Sequence, residues 1–300
     1  MKPQLKTVQN THRISTPAAL PEALYLSTLQ DALKEDLGLT GDITSTLTIP
    51  ETKTANATFV ARDEGVIAGL KMALKTFELV DPTSTIEAFV NDGELVTKGT
   101  PLAKVSGKAR SILTAERVAL NLLGHLCGIA TTTYSMARQL EGTTTKLLDT
   151  RKTQLNLRAL QKYAVTCGGG VNHRMGLYDM IMIKDNHIAY AGGLEAALTA
   201  AKAGKSHSIK IEVEVDTLDQ LQELINLGGA DIVLLDNMTG ETLTKAVSMV
   251  KASGLNMVTE ASGNVTPDTV RTIAESGVDY ISSGFITHSA KNFDVGLDII

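Results

Sequence analysis

The feature of this chain that most constrains its fold is a repeated pattern that begins at Leu147. A short apolar run ends at a polar residue and is followed by a segment with helical spacing, and the later runs begin at Ile232, Met257 and Tyr280. This spacing is typical of a strand and its crossover helix, so it predicts parallel strands. We therefore expect an α/β fold with parallel strands over residues 115–285, which would form a βα barrel if the strands close on themselves.

Two segments between the apolar runs carry clear helix signals. Thr217 can cap a helix that ends at Gly228, because a threonine hydroxyl accepts a hydrogen bond from the first turn. Thr266, with Pro267 at the first helical position, begins another helix that stops at Gly277. Both segments are predicted to be crossover helices between parallel strands.

The residues before Ala115 predict a different kind of domain. Short alternating runs separated by turns indicate β-strands, with a helix around Leu70–Val80. We expect a separate β-rich domain over residues 27–114, after an N-terminal extension over residues 1–26 that is mobile in part. The C-terminal tail, residues 286–300, can pack back on this domain. The alternating runs are Ala57–Ala61, Thr85–Val90 and Leu102–Val105.

Two segments near the domain boundary have specific predictions. The longest helical pattern, Leu113–Leu140, is broken near Gly124 and Gly128, and we expect it to join the two domains. The hairpin predicted at residues 91–107 is similar to those of biotinyl and lipoyl carrier modules. A carrier lysine would follow this hairpin, but the Lys-Met pair at Lys71 precedes it, which argues against a carrier module.

Composition predicts a globular protein. The chain has 300 residues, of which 43% are hydrophobic and 20% are charged. Met1–Glu22 is polar and has no apolar block typical of a secretory signal, and no later segment approaches the roughly 18 apolar residues of a membrane span. We therefore expect a cytoplasmic protein in which Cys127 and Cys167 stay reduced and have no redox or metal role.

Positive charge is concentrated between Leu147 and His187, although the net charge of the chain is −5. This indicates a small, strongly anionic ligand. A βα barrel brings the residues that follow its strands to one rim, so the cations are expected to meet there. Each of them alone is more often a salt-bridge partner, and His187 is expected to be a structural neighbour of Asp185. The candidate ligands among the basic residues of this range are Arg151, Lys152, His173, Arg174, Lys184 and His187.

Polar residues also follow the later apolar runs. In the segment 209–216, charged and apolar residues alternate, and Asp236 ends the next run. In an ordinary sheet the charged face would be solvated, whereas in a barrel one carboxylate, which we assign to Glu214, would face the ligand. Two late loops contain a Ser-Gly pair, which alone is normally a turn but can also cradle a phosphate. Their residues are Ser262, Gly263, Asn264, Ser283 and Gly284.

Eight blocks of this sequence occur in the order found in a known family. They are ALKEDLGLTGDITS at 32–45, AERVALNLLGHLCGIAT at 115–131, LLDTRKT at 147–153, GGGVNHRMGLYDMIMIKDNH at 168–187, IEVEVD at 211–216, IVLLDNM at 232–238, TEASGNV at 259–265 and GVDYISSGFITHS at 277–289. Through these blocks the chain resembles quinolinate phosphoribosyltransferase, the carboxylating nicotinate-nucleotide pyrophosphorylase family, over nearly its whole length from about Leu29.

The resemblance implies an incomplete TIM-like βα barrel with an N-terminal α+β sandwich domain. It implies a pentosyltransferase of de novo NAD biosynthesis, which transfers phosphoribosyl from phosphoribosyl pyrophosphate to quinolinate with decarboxylation and gives nicotinate mononucleotide, pyrophosphate and CO₂. Mg²⁺ would be held mainly by the pyrophosphate and not directly by the protein. The partners would be these small molecules and a second copy in a homodimer, alone or within a hexamer, with no nucleic acid and no membrane.

The resemblance also implies roles for individual residues. The quinolinate carboxylates would bind Arg151, His173, Arg174 and Lys184, with Arg117 contributed by the neighbouring subunit. Lys152 would bind the pyrophosphate, and Glu214 and Asp236 the ribose hydroxyls. The catalytic set is then Lys152, Lys184, Glu214 and Asp236, and the other substrate-binding residues are Thr153, Ser262, Gly263, Asn264, Ser283, Gly284 and Phe285.

One departure follows the LLDTRKT block, where Leu155 and Asn156 replace the usual Pro-Gly pair. Asn adopts left-handed backbone less freely than Gly, so we expect a locally altered loop. The alternative functions are a related phosphoribosyltransferase for another heteroaromatic acid, a Schiff-base aldolase that uses Lys184, and a catalytically silent anion-binding protein. The arginines near Lys184 argue against the aldolase, and the intact cation and carboxylate set argues against the silent protein.

Overall fold

The computed structural model describes residues 12–299. A short 3-10 helix, Glu22–Leu24, precedes the first α-helix. The first elements in chain order are β1 (His12–Arg13), α1 (Leu26–Leu37), α2 (Ile43–Thr48), β2 (Thr54–Ala61), β3 (Gly65–Val66), α3 (Leu70–Val80), β4 (Thr85–Ala88), β5 (Glu94–Val96), β6 (Pro101–Lys108) and α4 (Ala109–Arg138). They are followed by β7 (Lys146–Leu148), α5 (Arg158–Cys167), β8 (Ile181–Ile183), α6 (Asp185–Ala191), α7 (Leu194–Gly204), β9 (Ile211–Val215), α8 (Leu218–Leu227), β10 (Ile232–Asp236), α9 (Gly240–Ala252), β11 (Val258–Ser262), α10 (Val270–Ala274), β12 (Tyr280–Ser282), α11 (Phe285–His288) and β13 (Val295–Ile299).

The chain divides into two compact units, and the boundary between them falls within α4. The sequence placed this boundary earlier, at residue 115, because it contains no signal that would split a continuous helix between two units. The first unit contains the described residues up to Tyr134, residues 154–169 and the tail from Ala290. The second unit contains residues 135–153 and 170–289.

The first unit is built on two antiparallel sheets, which confirms the predicted α+β domain. One sheet has the order β13-β2-β6-β4 and the other the order β1-β5-β3. The C-terminal tail contributes β13, which pairs with β2. In the core the rings of Phe59 and Phe77 meet edge to face, with centroids 5.7 Å apart. Within the predicted extension, His12 and Arg13 pair with β5, while residues 1–11 lie outside the described part of the chain.

Helix α4 is continuous through Gly124 and Gly128, where the sequence pattern predicted a break. A Cβ at Gly128 would lie 2.0 Å from the carbonyl oxygen of Lys291, and one at Gly124 would lie 2.8 Å from that of Phe293. The glycines therefore allow the C-terminal segment to cross the helix closely. By length and mean hydropathy α4 could span a membrane, but 56% of its apolar window is buried inside the protein, as in a core helix.

We expect Gly128→Ala to destabilise the protein, because the added methyl group cannot fit against the carbonyl of Lys291 without a backbone shift. Overpacking of this kind costs about 1–3 kcal/mol. The matched control is Gly204→Ala in the last turn of α7, where no atom of residues 12–299 outside the glycine's own surroundings lies within 4 Å of the added Cβ. Urea unfolding of both variants measures the difference. A Gly128→Ala midpoint equal to that of the parent would contradict the close approach.

Both cysteines are buried free thiols, as predicted. The Sγ of Cys127 accepts a hydrogen bond from the backbone N–H of Ala68 at 3.3 Å. Burial raises the pKa of Cys127 and of Cys167. Because the thiolate is the nucleophile and the metal ligand, raised pKa values support the interpretation that neither thiol has a redox or metal role.

The second unit contains a six-stranded parallel sheet with the order β7-β12-β11-β10-β9-β8. Helices α7, α8, α9 and α10 connect successive strands from β8 to β12. The strand order ends at β7 on one side and at β8 on the other, so the barrel is open between them. This confirms the predicted α/β fold with an incomplete βα barrel. An isolated parallel bridge between Leu148 and Val171 extends the free edge of β7.

The strand register aligns polar side chains of neighbouring strands. Leu234 of β10 lies opposite Glu214 of β9 and Glu260 of β11. Two residues nearer the carboxyl ends, Asp236 lies opposite Ser262. Because side chains alternate along a strand, residues two apart point to the same face. Successive rows of polar groups therefore rise along the interior of the barrel towards the carboxyl ends of its strands.

Strand β9 is covered on both faces. Its apolar residues Ile211, Val213 and Val215 are buried, and Glu212 between them is also fully buried. The alternative in which the charged face is solvated is therefore wrong for Glu212. Coverage on both faces is typical of a parallel barrel strand, whose outer face packs on helices.

One crossover helix begins where the sequence predicted and another does not. Thr217 caps α8, with its hydroxyl accepting from a backbone N–H three residues later. By contrast α10 begins at Val270 and not after Thr266. The hydroxyl of Thr269 accepts from the N–H of Thr266 at 3.0 Å, and this bond stabilises a turn before the helix.

Candidate active site

A cavity of about 450 Å³ lies at the carboxyl ends of the barrel strands. Most of its lining residues are candidates from the sequence, which the strand-end rule of a βα barrel brings together. These are Arg151, Lys152, His173, Arg174, Lys184, Glu214, Asp236 and Ser262. The residues that the sequence analysis missed are Thr150, Met182, Leu234, Glu260 and Ser282.

The cations of the cavity come from three loops. Arg151 and Lys152 follow β7, and Lys184 follows β8. Arg174 is half-buried, and its Nη1 donates to the carbonyl of Met180 at 3.1 Å. Burial lowers the pKa of the Arg174 guanidinium, and the charge of Arg151 lowers it further. Arg151 and Arg174 repel each other at a partly desolvated rim, and a bound anion would relieve this repulsion.

Lys184 forms an ion pair with Glu214 across neighbouring strands. The Nζ of Lys184 contacts the Oε2 of Glu214, whose side chain is only 11% exposed. Schiff-base lysines are activated by an apolar pocket or by another cation, whereas Lys184 contacts a carboxylate. This contact argues against the aldolase alternative.

Asp149, which the sequence analysis did not single out, joins two cation-bearing loops. It is fully buried and immediately precedes Thr150 and Arg151. Its carboxylate accepts from the Nδ2 of Asn172 at 2.6 Å and from the backbone N–H of His173 at 2.8 Å. The loop after β7 and the loop that contains Arg174 are thus fixed to each other by charge-assisted hydrogen bonds.

The loops after β10 and β11 are also locked together. The Oδ2 of Asp236 accepts from the Nδ2 of Asn237 at 2.5 Å, and the N–H of Asn237 donates to the carbonyl of Ser262 at 2.9 Å. A Cβ at Gly263 would lie 2.2 Å from the Oδ1 of Asn237, and its φ of +99° also favours glycine. Asp236 and Ser262 therefore have fixed positions at the rim.

The second Ser-Gly loop is arranged differently from the first. Ser283 is buried, its N–H donates to the carbonyl of Leu148 at 3.0 Å and its hydroxyl to that of Val265 at 2.8 Å. These groups are used within the fold, and Ser282 lines the cavity instead. Gly284 lies beside the Lys152 side chain, since a Cβ there would be 2.8 Å from its Cδ.

Several predicted residues do not line this cavity. Arg117 is exposed on α4, in the first unit, and Thr153 is half-buried. The Nδ1 of His187 accepts from the backbone N–H of Lys184 at 2.9 Å at the start of α6. His187 thus has the predicted structural role, although through Lys184 and not Asp185. Gly263, Asn264, Gly284 and Phe285 flank lining residues without being among them.

The loop that contains Leu155 and Asn156 includes one residue with left-handed backbone. Asn156 has a φ of 60° and Leu155 is 91% exposed. Asparagine is among the few residues other than glycine that adopt this conformation readily, because its short side chain can form local hydrogen bonds. Asn156 therefore adopts a conformation that a glycine would adopt more freely, and the expected difference from the usual Pro-Gly loop stays a prediction.

A buried cluster of His173, Glu212 and Glu260 adjoins the cavity. The Nε2 of His173 lies 3.1 Å from the Oε2 of Glu212 and 3.4 Å from the Oε2 of Glu260. Burial alone would lower the pKa of His173, but the two carboxylates outweigh it and raise the pKa to about 10. Burial raises the pKa of Glu212. Both shifts favour a proton on the groups that face each other, the Nε2 of His173 and the carboxyl groups of the glutamates.

One imidazole and two carboxylates could also be metal ligands. However, the Nδ1 of His173 accepts the backbone N–H of Arg174 at 2.7 Å, so its lone pair is engaged. The ring proton must then lie on Nε2, the nitrogen that faces Glu212 and Glu260. A protonated nitrogen cannot ligate a metal, so this geometry favours an ion-paired cluster over a metal centre.

Comparison with known proteins gives consistent matches. Two family models match, quinolinate phosphoribosyl transferase C-terminal domain at residues 129–298 and N-terminal domain at residues 42–127. A chloroplastic nicotinate-nucleotide pyrophosphorylase (carboxylating) of Oryza sativa subsp. japonica is 42% identical over 94% of this chain and 80% of its own length. A probable nicotinate-nucleotide pyrophosphorylase (carboxylating) of Bacillus subtilis (strain 168) is 43% identical over 88% and 90%.

Solved structures agree with these matches. The crystal structure of NadC from Streptococcus pyogenes has a TM-score of 0.88 and 38% identity, with 94% of this chain and 99% of that chain covered. The nicotinate-nucleotide pyrophosphorylase from Francisella tularensis has a TM-score of 0.88 and 39% identity, covering 97% and 100%. Both the sequence and the fold of this chain are therefore similar to those of these proteins over nearly their whole length.

Proposed function

Because this chain belongs to the quinolinate phosphoribosyltransferase family, we propose that it transfers phosphoribosyl from phosphoribosyl pyrophosphate to quinolinate with loss of CO₂. The products are nicotinate mononucleotide and pyrophosphate. The observation that carries this proposal is the composition of the cavity at the rim of the barrel. Cations that suit carboxylates and phosphates lie there beside two carboxylates, Glu214 and Asp236, that suit ribose hydroxyls.

Arg151, Arg174 and Lys184 supply positive charge for the two carboxylates of quinolinate. Guanidinium groups bind carboxylates through paired N–H donors, and an ammonium is a compact charge for closer approach. Several cations are needed, because a desolvated carboxylate without a partner is very costly. In this assignment His173 contributes by fixing Arg174, because its Nδ1 accepts the Arg174 amide.

Phosphoribosyl pyrophosphate occupies the opposite side of the same cavity. Lys152 binds the pyrophosphate, and Glu214 and Asp236 accept hydrogen bonds from the ribose hydroxyls. The 5′-phosphate lies at the loops after β11 and β12, where Ser262 and Ser282 line the cavity. Backbone N–H groups and hydroxyls at such loops are usual phosphate ligands in βα barrels.

Phosphoribosyl pyrophosphate would bind together with Mg²⁺. The cavity fits such an ion, because Asp236 and Glu214 present carboxylate oxygens, which are the hard donors that Mg²⁺ prefers. When bound, the ion neutralises negative charge on the pyrophosphate. The protein residues supply the remaining charge, with Lys152 at the leaving group.

The chemistry consists of one displacement and one decarboxylation. The pyridine nitrogen forms a bond to C1 of the ribose while the C1–oxygen bond breaks and its electron pair leaves with pyrophosphate. Glu214 and Asp236 place negative charge near the oxocarbenium-like centre, and Lys152 offsets the leaving charge. The quaternary ring then accepts the electron pair that CO₂ leaves behind, and a proton replaces the carboxylate. Positioning and electrostatics supply most of the catalysis.

We also propose that two copies of this chain complete each other's active sites through Arg117. Arg117 is an exposed arginine on α4, and it does not line the cavity of its own chain. The barrel unit also presents an apolar surface, where Leu177 is 71% exposed and Tyr190 is 92% exposed beside a second cavity of about 680 Å³. Large exposed apolar groups of this kind are typical of protein interfaces.

Mixing two inactive variants tests the shared site. Arg117→Ala should weaken quinolinate binding without loss of the fold, and Lys184→Ala should inactivate its own barrel. A one-to-one mixture should regain about a quarter of the parent activity, since half of the dimers are mixed and each mixed dimer has one intact site. Mixed dimers that form but show no recovery would exclude a shared arginine.

The proposed function is tested by an omission series. Nicotinate mononucleotide should form only when quinolinate, phosphoribosyl pyrophosphate and Mg²⁺ are all present, and nicotinate should not replace quinolinate. Turnover of another heteroaromatic acid in preference to quinolinate would support the related phosphoribosyltransferase. Binding of these acids without turnover would indicate the silent anion-binding protein.

The cytoplasmic location expected from the sequence stays a proposal. The rice relative is named chloroplastic, and an enzyme of Nicotiana tabacum is named mitochondrial, so the compartment differs among proteins of similar sequence. Cell fractionation with an antibody against the chain tests the location directly. Recovery of the chain in an organelle fraction would overturn it.

A further inference from the structure

In the buried cluster of His173, Glu212 and Glu260, the histidine fixes Arg174 in the reaction as proposed above, whereas the two glutamates have no role in it. The glutamates come from β9 and β11, which lie on either side of β10. Glu212 is 0% exposed and Glu260 is 1% exposed. Two buried carboxylates next to a site for a dianion would repel the bound dianion and weaken its binding. Their presence therefore calls for a structural explanation.

The imidazole of His173 connects the glutamates to the rim of the cavity. Its Nε2 faces Glu212 at 3.1 Å and Glu260 at 3.4 Å, and its Nδ1 accepts the backbone N–H of Arg174 at 2.7 Å. The backbone N–H of His173 donates to the buried carboxylate of Asp149 at 2.8 Å. His173, the residue before Arg174, is therefore held in place through both its main chain and its ring.

We propose that Glu212 and Glu260 are positioning residues, which hold the His173 ring so that its Nδ1 fixes the main chain of Arg174 at the cavity. The proposal rests on the proposed function, because it assigns Arg174 to quinolinate. It also specifies the tautomer of His173: the proton lies on Nε2, between the glutamates.

Two effects on the ring act in opposite directions. Burial lowers the pKa of His173, but the two glutamates outweigh it and raise the pKa to about 10, which favours a second ring proton. The backbone N–H of Arg174 is directed at Nδ1 at 2.7 Å and opposes a proton there, so this contact selects the ring whose proton lies on Nε2. Burial raises the pKa of Glu212 and so favours its neutral, protonated form. A protonated Glu212 reduces the negative charge of the cluster next to the substrate site.

Glu212 gives the cleaner test, because Glu260 lines the cavity and Glu212 does not. Glu212→Leu should raise KM for quinolinate about tenfold while KM for phosphoribosyl pyrophosphate changes less than about twofold. Glu212→Gln should restore KM for quinolinate to within about threefold of the parent, because its amide oxygen still accepts from Nε2. An unchanged KM for quinolinate in Glu212→Leu would overturn the proposal, as would equal changes for both substrates.

Two controls separate positioning from general effects. Glu223→Gln removes an exposed carboxylate from α8 and should leave both KM values unchanged. Gly128→Ala should lower stability without a change in KM for quinolinate, so it shows whether destabilisation alone produces the effect. A parent enzyme without turnover would refute the proposed function, whereas an active parent with unchanged variants would refute only the positioning role.

A measurement on the unaltered chain does not depend on the folding of any variant. In protein with ¹⁵N-labelled histidine, the His173 ring can be assigned from the spectrum of His173→Gln. We expect a proton on Nε2 of His173 throughout the range of about pH 6 to 9, beyond the titration of an ordinary histidine. A ring that is bare at Nε2, either in the other tautomer or bound to a metal, would overturn the proposal, as would a ring that carries protons on both nitrogens.

Discussion

Arg174→Ala is expected to lower kcat/KM for quinolinate on the order of a thousandfold, because removal of one partner from a desolvated, hydrogen-bonded charge pair costs about 2–5 kcal/mol. Arg174 is half-buried at the cavity, where burial and the charge of Arg151 already lower its pKa. These conditions favour a bound carboxylate. The loss should lie mainly in KM for quinolinate, as measured by initial rates at saturating phosphoribosyl pyrophosphate.

The control for this variant is Arg138→Ala, which removes the same charge from an arginine that is 62% exposed near the end of α4. Its kinetic constants should equal those of the parent. If Arg174→Ala changed KM for quinolinate less than about threefold, Arg174 could not be a main carboxylate ligand, since one charge-assisted hydrogen bond alone contributes about 1.5–3 kcal/mol.

Asp236→Ala is expected to lower kcat on the order of a hundredfold and to raise KM for phosphoribosyl pyrophosphate, with little change in KM for quinolinate. Asp236 ends β10 and is held by Asn237, so its carboxylate has a fixed position beside the proposed ribose site. Removal of one preorganised group that stabilises developing charge typically costs about 2.7–4 kcal/mol, which is about a hundredfold to a thousandfold in kcat. Steady-state kinetics with both substrates varied measures the two KM values separately.

Asp219→Ala is the matched control, because Asp219 is an exposed carboxylate at the start of α8. It should not change kcat. Should Asp236→Ala retain the kcat of the parent, the assignment of Asp236 to the reacting ribose would fail, whatever happened to KM.

The sequence predicted the candidate residues that follow strands, because chain topology alone brings them together. Arg151, Lys152, Lys184 and Asp236 each follow an apolar run, and parallel strands of a barrel end at the same rim. Position after a strand is a local feature that can be read without knowledge of packing. The same rule does not say which way a side chain in the middle of a run points.

The residues that the sequence missed lie within or immediately after the runs. Glu260 and Glu212 are buried inside the barrel, and Asp149 is buried at the end of β7. Their roles depend on partners far away in sequence, such as Asn172 and His173 for Asp149. No local pattern contains that information, since a charged residue in a strand is usually solvated.

Backbone details depend on equally specific contacts. The sequence placed a break in α4 at Gly128, whereas the structure uses this glycine for a close approach of Lys291. A glycine inside a helical pattern can have either role, and only the position of the C-terminal segment distinguishes them. In the same way, the start of α10 was displaced from Thr266 by the hydroxyl of Thr269.

A crystal structure of the protein with quinolinate tests the central claim most directly. That claim is that closure of the barrel gathers scattered cations into one site for a planar dicarboxylate. Quinolinate is expected in the cavity between β7 and β10, with its carboxylates within about 3 Å of the Arg174 guanidinium and the Lys184 ammonium. Quinolinate bound elsewhere, or these cations directed into bulk solvent away from it, would exclude the proposed site.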